Sequence, residues 1–184
     1  MFVFPLVPEG VPKPSISDVT QSSFSLRWSA PTNHNGIIRH YYVSIFSRTT
    51  TKEIRVDKNV FTYTITGLDS YVEYSALIKA CNDGGCGSSA IAKVRTLTSP
   101  PKSQPAPSAE ATGNSSLRVR WAEPNAPNGP IQRYQLQHRT IESLLTESIT
   151  KPTPWTVVYS GTATVFDHLN LGVYSQQQYF VSCV

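Results

Sequence analysis

Phe24, Leu26 and Trp28 alternate with Ser23, Ser25 and Arg27, and later in the chain Leu117, Val119 and Trp121 alternate with polar residues in the same way. A period of two is what a strand buried on one face requires. The two runs are copies. Leu26-Arg-Trp28-Ser-Ala-Pro31, Asn35-Gly36 and Tyr41 return as Val119-Arg-Trp121-Ala-Glu-Pro124, Asn128-Gly129 and Tyr134, every pair 93 apart. A repeat of this length is too long for a solenoid unit and fits one independently folding domain, so the pattern predicts a tandem array. The Asn-Gly pairs tolerate positive φ and open the next strand, where Tyr41, Val43 and Ile45, and then Tyr134 and Leu136, face inward. Further strands are predicted over 53–56, 63–66, 73–81 and 90–96. No stretch has a convincing helical period. The best candidate, 140–150, is followed by Lys151-Pro-Thr-Pro154 and reads as a long loop of the second module.

Proline marks the boundaries. Thr98-Ser-Pro-Pro101-Lys-Ser-Gln-Pro105-Ala-Pro107 cannot sustain a ladder, because each proline lacks its amide hydrogen and holds φ near −65°. It predicts a semi-rigid connector. The division is then 1–11 as N-terminal segment, 12–98 as first module, 99–106 as linker and 107–184 as second module. A similar Pro-rich segment from Pro8 to Pro14 precedes the first module, which suggests a longer string of such units.

Composition narrows the function. With 184 residues, each half can bury only a modest core. No apolar run approaches the roughly 18 to 20 residues of a membrane span. The opening Met1-Phe-Val-Phe-Pro-Leu-Val7 lacks a basic leader and is broken by Pro5, so it does not read as a signal peptide. A net charge of +4 permits contact with anionic surfaces, but Lys and Arg are scattered and nucleic-acid binding is not expected. His34, His40, His138 and His168 show no metal spacing, no nucleophile motif occurs, and Asp83-Gly-Gly-Cys-Gly87 is a hairpin turn without a following helix. Asp69 with Glu73, and Asp167 beside His168, read as solvated loop residues. The expectation is no enzyme, no cofactor, no metal and no small-molecule ligand.

At this level of detail the chain resembles the fibronectin type III family. The resemblance rests on the strand-two Trp followed three residues later by Pro, the Asn-Gly turn before a Tyr-x-Val strand, and Leu68 six residues before Tyr74, leading into Ala80-Cys-Asn82-Asp-Gly-Gly. It implies an all-β chain of two immunoglobulin-like sandwiches, each a Greek key of two sheets. Its core signature is Trp28, Tyr41, Leu68 and Tyr74, with Trp121 and Tyr134 in the second copy. Tyr74 would be the corner tyrosine, its hydroxyl capping nearby backbone. The Pro-Asn-Gly-Pro-Ile-x-x-Tyr run at 127–134 narrows the likeness to long extracellular arrays. For those it implies spacing and adhesion, at the cell surface or in the extracellular matrix, with matrix proteins such as collagen or neighbouring modules as partners. A receptor or intracellular scaffold segment is the alternative. The family's Arg-Gly-Asp turn is absent at Asn82-Asp-Gly-Gly.

Cys81 and Cys86 flank that turn and would lie on opposite arms of one hairpin, where a disulfide is geometrically reasonable. Two reduced thiols are the other reading, and zinc has no second ligand pair. Asn114-Ser-Ser116 meets the N-glycosylation pattern in a Gly-containing turn. The second module stops at Val184 with no seventh strand left over, so it is expected to lack its last strand and to be less stable than the first. On the same reading Cys183 corresponds to Cys81 and is an unpaired thiol, and the chain is a fragment or short form of a longer array.

Overall fold

In the computed structural model the described residues are 6–143, 152–172 and 175–184, with nothing said of the side chains of 142 and 143. Among them the chain is all β, and it divides into two compact units, Met1–Ser99 and Pro100–Val184. No helix among them is long and apolar enough to cross a membrane.

The first unit contains β1 (Ser15–Ser17), β2 (Ser23–Arg27), β3 (His40–Phe46), β4 (Thr51–Asp57), β5 (Thr62–Thr66), β6 (Glu73–Asn82), β7 (Gly85–Ser88) and β8 (Ala92–Arg95). One antiparallel sheet runs β1-β2-β5; the other runs β4-β3-β6-β7, with β8 also paired to β6. The strand expected over 90–96 is β8, shorter at each end, and it is preceded by β7, with Ser89 at the break between them. Its amide donates to the Ile78 carbonyl (2.8 Å), while its hydroxyl accepts from the Ile78 amide (2.9 Å). A side chain takes one place in the ladder there. Between the sheets lie Phe24, Leu26, Tyr41, Val43, Ile45, Ile65, Tyr74 and Ile78, all buried.

The Pro-rich opening segment is woven into this unit. Glu9 and Asn33 exchange both backbone bonds (2.8 and 3.2 Å), and the Asn35 amide side chain donates to the Val7 carbonyl (2.7 Å). Pro8 and Val11 are buried. A Cβ on Gly87 would lie 1.8 Å from the Pro8 carbonyl oxygen, so only glycine lets the segment close on β7. Asn35 (φ 48°) and Gly36 (φ 136°) make the turn that receives it, in the left-handed region their types tolerate.

The second unit contains β9 (Ser108–Gly113), β10 (Ser116–Arg120), β11 (Tyr134–Ser143), β12 (Thr156–Gly161), β13 (Val165–His168) and β14 (Ser175–Cys183). Its sheets run β13-β10-β9 and β12-β11-β14. Among the described residues β14 is paired only through β11, whereas β6 is paired on both sides. Its opening segment repeats the first unit's: Lys102 and Ala126 exchange both bonds (2.8 and 3.3 Å), and Asn128 donates to the Pro100 carbonyl (3.0 Å). The stretch expected as a loop over 140–150 begins instead as strand, because β11 continues to Ser143 along β14; 144–150 lie outside the described residues. Trp28 and Trp121 sit in separate cores.

Candidate functional site

Two places concentrate chemistry. The first is the β6–β7 hairpin. Cys81 and Cys86 face each other directly in the ladder, their Cα atoms 4.1 Å apart, and are joined by a disulfide. Next to them Asn82 is a buried hub. Its side-chain nitrogen lies 2.8, 3.1 and 3.0 Å from the carbonyls of Leu6, His34 and Asn35, and its Oδ1 accepts from the Gly84 amide (2.8 Å). One side chain therefore ties the opening segment, the Asn35-Gly36 turn and the hairpin together. Outside this knot Arg39 grips Asp83 through two parallel bonds (2.9 and 2.8 Å). The Arg39 hydrogen bonds hold the Asp83 carboxyl below its ordinary range. The result is a rigid, exposed turn bearing an ion pair, suited to contact rather than catalysis. Arg39 carries no motif, and although Asn82 stands in the Ala80–Gly85 run, only the fold brings Leu6, His34 and Asn35 to it.

At the opposite end Tyr74 is fully buried, 6.2 Å from the Phe24 ring, and its hydroxyl accepts from the Asp69 amide (3.0 Å). Thr96 completes the corner, donating to the Asp69 carbonyl (2.7 Å) and accepting from the Val72 amide (3.0 Å). Trp28 follows β2, donates its amide to the Phe61 carbonyl (3.0 Å) and meets Tyr41 edge-on at 6.0 Å. Trp121 repeats this with the Thr164 carbonyl (3.0 Å) and Tyr134 (6.0 Å). Leu68 is buried and donates its amide to the Ser22 carbonyl.

Register now fixes which residues of the second unit stand where. The Leu171 amide donates to the Ser115 carbonyl as Leu68 does to Ser22, and Leu136 faces Val181 as Val43 faces Ile78. Beyond β11, then, equivalent residues differ by 103 (171 − 68, 181 − 78) instead of 93. This corrects one expectation. Cys183 stands opposite Tyr134 as Ala80 stands opposite Tyr41, so it takes the inward position of Ala80 and not the hairpin position of Cys81. Cys183 is a free thiol packed against the second core, and burial pushes its pKa up.

The same register exposes the second concentration of chemistry. Where the first unit has Ile45, Ile65, Tyr74 and Ala76, the second has His138, His168, Gln177 and Tyr179. The two histidine rings meet edge-on at 4.6 Å. His168 Nδ1 is hydrogen-bonded to the Tyr179 hydroxyl (2.9 Å), His138 Nε2 to Gln177 Oε1, and Thr140 donates to the same oxygen (3.2 Å). Burial, then the neighbouring His138, holds the His168 pKa below its ordinary value; burial pushes the Tyr179 hydroxyl up to about 12. In the sequence these histidines are 30 residues apart and look unrelated. The signal that joins them is the changed offset, which becomes visible only once the strands are in register. Asn114 lies exposed in the two-residue turn between β9 and β10, beside a shallow cavity of about 240 Å³ that Leu117, Leu171 and Gln177 help to line.

Two sandwiches, each with a Trp-centred core and the first with a tyrosine corner, define a class of β module. Residues 8–95 match the fibronectin type III domain, and the chain belongs to the fibronectin type III proteins through that module. Over 131 residues, 71% of this chain, it is 30% identical to human usherin, of whose length it spans 2%. Over 147 residues, 76% of this chain, it is 33% identical to human neogenin, spanning 10% of it. Over 139 residues, 74% of this chain, it is 30% identical to the human phosphatidylinositol phosphatase PTPRQ, spanning 6% of it. The fold of 97% of the chain superposes on 62% of the crystal structure of the chicken CNTN1 FN1–FN3 domains, with a TM-score of 0.67 at 19% identity.

Proposed function

We propose that this chain is a non-catalytic extracellular segment that works as a spacer and protein-binding surface in a usherin-like adhesion or matrix-linking array. The observation that carries the reading is the Cys81–Cys86 disulfide across the β6–β7 hairpin, because such bonds persist in oxidising compartments. Tandem sandwiches set distance, and the braced turn at Asn82–Gly85 with its Arg39–Asp83 pair offers a stiff contact surface. Partners of this reading are matrix proteins such as collagen, or neighbouring modules, and Asn114 is its glycan acceptor. The reading extends to an array of sensory epithelia, at stereocilia and in sensory perception, and what supports that extension is the 30% identity to usherin alone.

Secretion from cultured cells, alkylation without reductant and mass spectrometry test it, with glycosidase treatment on the same material. Linked Cys81 and Cys86 peptides and a mass loss at Asn114 are expected. Free, labelled Cys81 and Cys86 in secreted protein overturn the reading. The neogenin and PTPRQ matches favour a second one, the ectodomain of a cell-surface signalling receptor. An intracellular scaffold segment would instead show reduced thiols and an unmodified Asn114.

A further inference from the structure

We propose that the second module carries a pH-sensitive latch: the edge-to-edge packing of His138 and His168 between its sheets holds the module near neutral pH and loosens in mildly acidic solution. The geometry supports this from every side. From β10 the neighbour is Leu117, opposite His168 in the ladder; from β13 it is Phe166, 5.8 Å from His168; from β14 the neighbours are Gln177 and Tyr179; from β11 it is Thr140. From β12 the Thr156 hydroxyl meets the His138 carbonyl (3.3 Å). All of these are apolar or uncharged. The nearby charges are engaged elsewhere: Asp167 is forked onto Arg118 (2.7 and 2.9 Å), and Arg139 lies over the Trp155 ring at 4.6 Å. Among the residues whose side chains are described, no carboxylate oxygen comes within 4.0 Å of either ring. Among the residues whose side chains are described, a proton on one ring is therefore a cation with no carboxylate partner, and a second would set two like charges 4.6 Å apart.

The sign follows from linkage. Burial, then the neighbouring His138, lowers the His168 pKa in the folded state, whereas an unfolded histidine titrates near pH 6.5. Above that value neither state binds the proton and stability does not depend on it. Below it the unfolded chain gains a proton that His168 in the folded module takes up less readily, so stability falls, by at most about tenfold in the folded-to-unfolded ratio per pH unit for this ring. The fall levels off once the folded ring itself titrates. The first module has Ile45 and Ile65 at these positions. Its own His40 stands at the β3 surface beside Arg55 (3.4 Å), where burial and then the Arg55 charge also lower its pKa, so the first module supplies a baseline response against which the second is read.

The test is hydrogen exchange by mass spectrometry on the full chain between pH 7.5 and 5.5, corrected for the intrinsic rate. Amides of 116–120, 134–139 and 175–183 should lose protection several-fold, up to about tenfold, relative to 40–46 and 73–82. His138→Ile with His168→Ile, which copies the first module, should abolish the difference. Because the double variant could misfold, His168→Gln alone is the second arm: it stays neutral and polar, and should at least halve the logarithmic response. Equal responses of the two modules in the wild type, or an undiminished response in either folded variant, overturn the proposal.

Discussion

The two modules share five core positions and differ at the other eight. Leu26, Trp28, Tyr41, Val43 and Ile78 have buried counterparts in Val119, Trp121, Tyr134, Leu136 and Val181. At the remaining positions the first module stays apolar and closed, with Val11, Phe24, Ile45, Ile65, Leu68, Tyr74, Ala76 and Ala80. The second places Gln104, Leu117, His138, His168, Leu171, Gln177, Tyr179 and Cys183 there, and none of these is fully enclosed. The difference teaches that the Trp-centred layer is enough to set strand register and fold. The corner end can then change its chemistry, at a cost in buried apolar area and so in stability.

The sharpest way to break this comparison is at the corner. Tyr74→Ala removes a fully buried ring and the acceptor of the Asp69 amide, and should cost the first module about 3–5 kcal/mol. Gln177→Ala at the equivalent place should cost the second about 1 kcal/mol, since it removes only hydrogen bonds from a half-open site. Denaturant titration read module by module through hydrogen exchange measures both. Similar losses would mean that the second corner is as tightly packed as the first.

A smaller effect separates the modules at the hairpin. Cys81→Ser with Cys86→Ser opens a ring closed over a sequence separation of 5, and such a short loop contributes roughly 2 kcal/mol. The loss should appear in the first module's unfolding midpoint and leave the second's unmoved. A shift of both midpoints together would show that the modules unfold as one unit, against the two separate cores.

These contrasts mark what the sequence could disclose. The period-two runs ending in Trp28 and Trp121 give the strands, and the Asn-Gly turns give the start of the next, because both are local signals. The disulfide was reachable as one of two readings, since Asn82 to Gly85 is a turn by composition. What stayed hidden depends on pairing at long range. The Arg39–Asp83 fork spans 44 positions and the Arg118–Asp167 fork 49. The alignment of Cys183 with Ala80 instead of Cys81, and the meeting of His138 with His168, follow from a register shift that the long β11–β12 connection conceals in the linear repeat.

The smallest expected effect tests whether acid acts on the second module only through its histidines. Arg118 hydrogen bonds hold the Asp167 carboxyl below its ordinary range, helped by the Arg118 and Arg120 charges. A carboxyl lowered in the folded state stabilises above its unfolded value, near pH 3.9, and that contribution is lost as pH falls through the folded value. Asp83 in the first module obeys the same rule through Arg39. Both pairs are exposed, so each contributes less than the disulfide. The first module's Glu53, lowered by hydrogen bonds from Lys79 and Ser44, adds to the same limb, so both modules should weaken below about pH 4 by carboxylate linkage, while the second should weaken more than the first between pH 6.5 and 5.5. Asp167→Asn should flatten the lower limb of the second module's midpoint-versus-pH curve and leave its upper limb in place. If the upper limb disappears with that substitution, the near-neutral sensitivity belongs to the surface fork, and the contrast between an apolar and a histidine-bearing core loses its consequence.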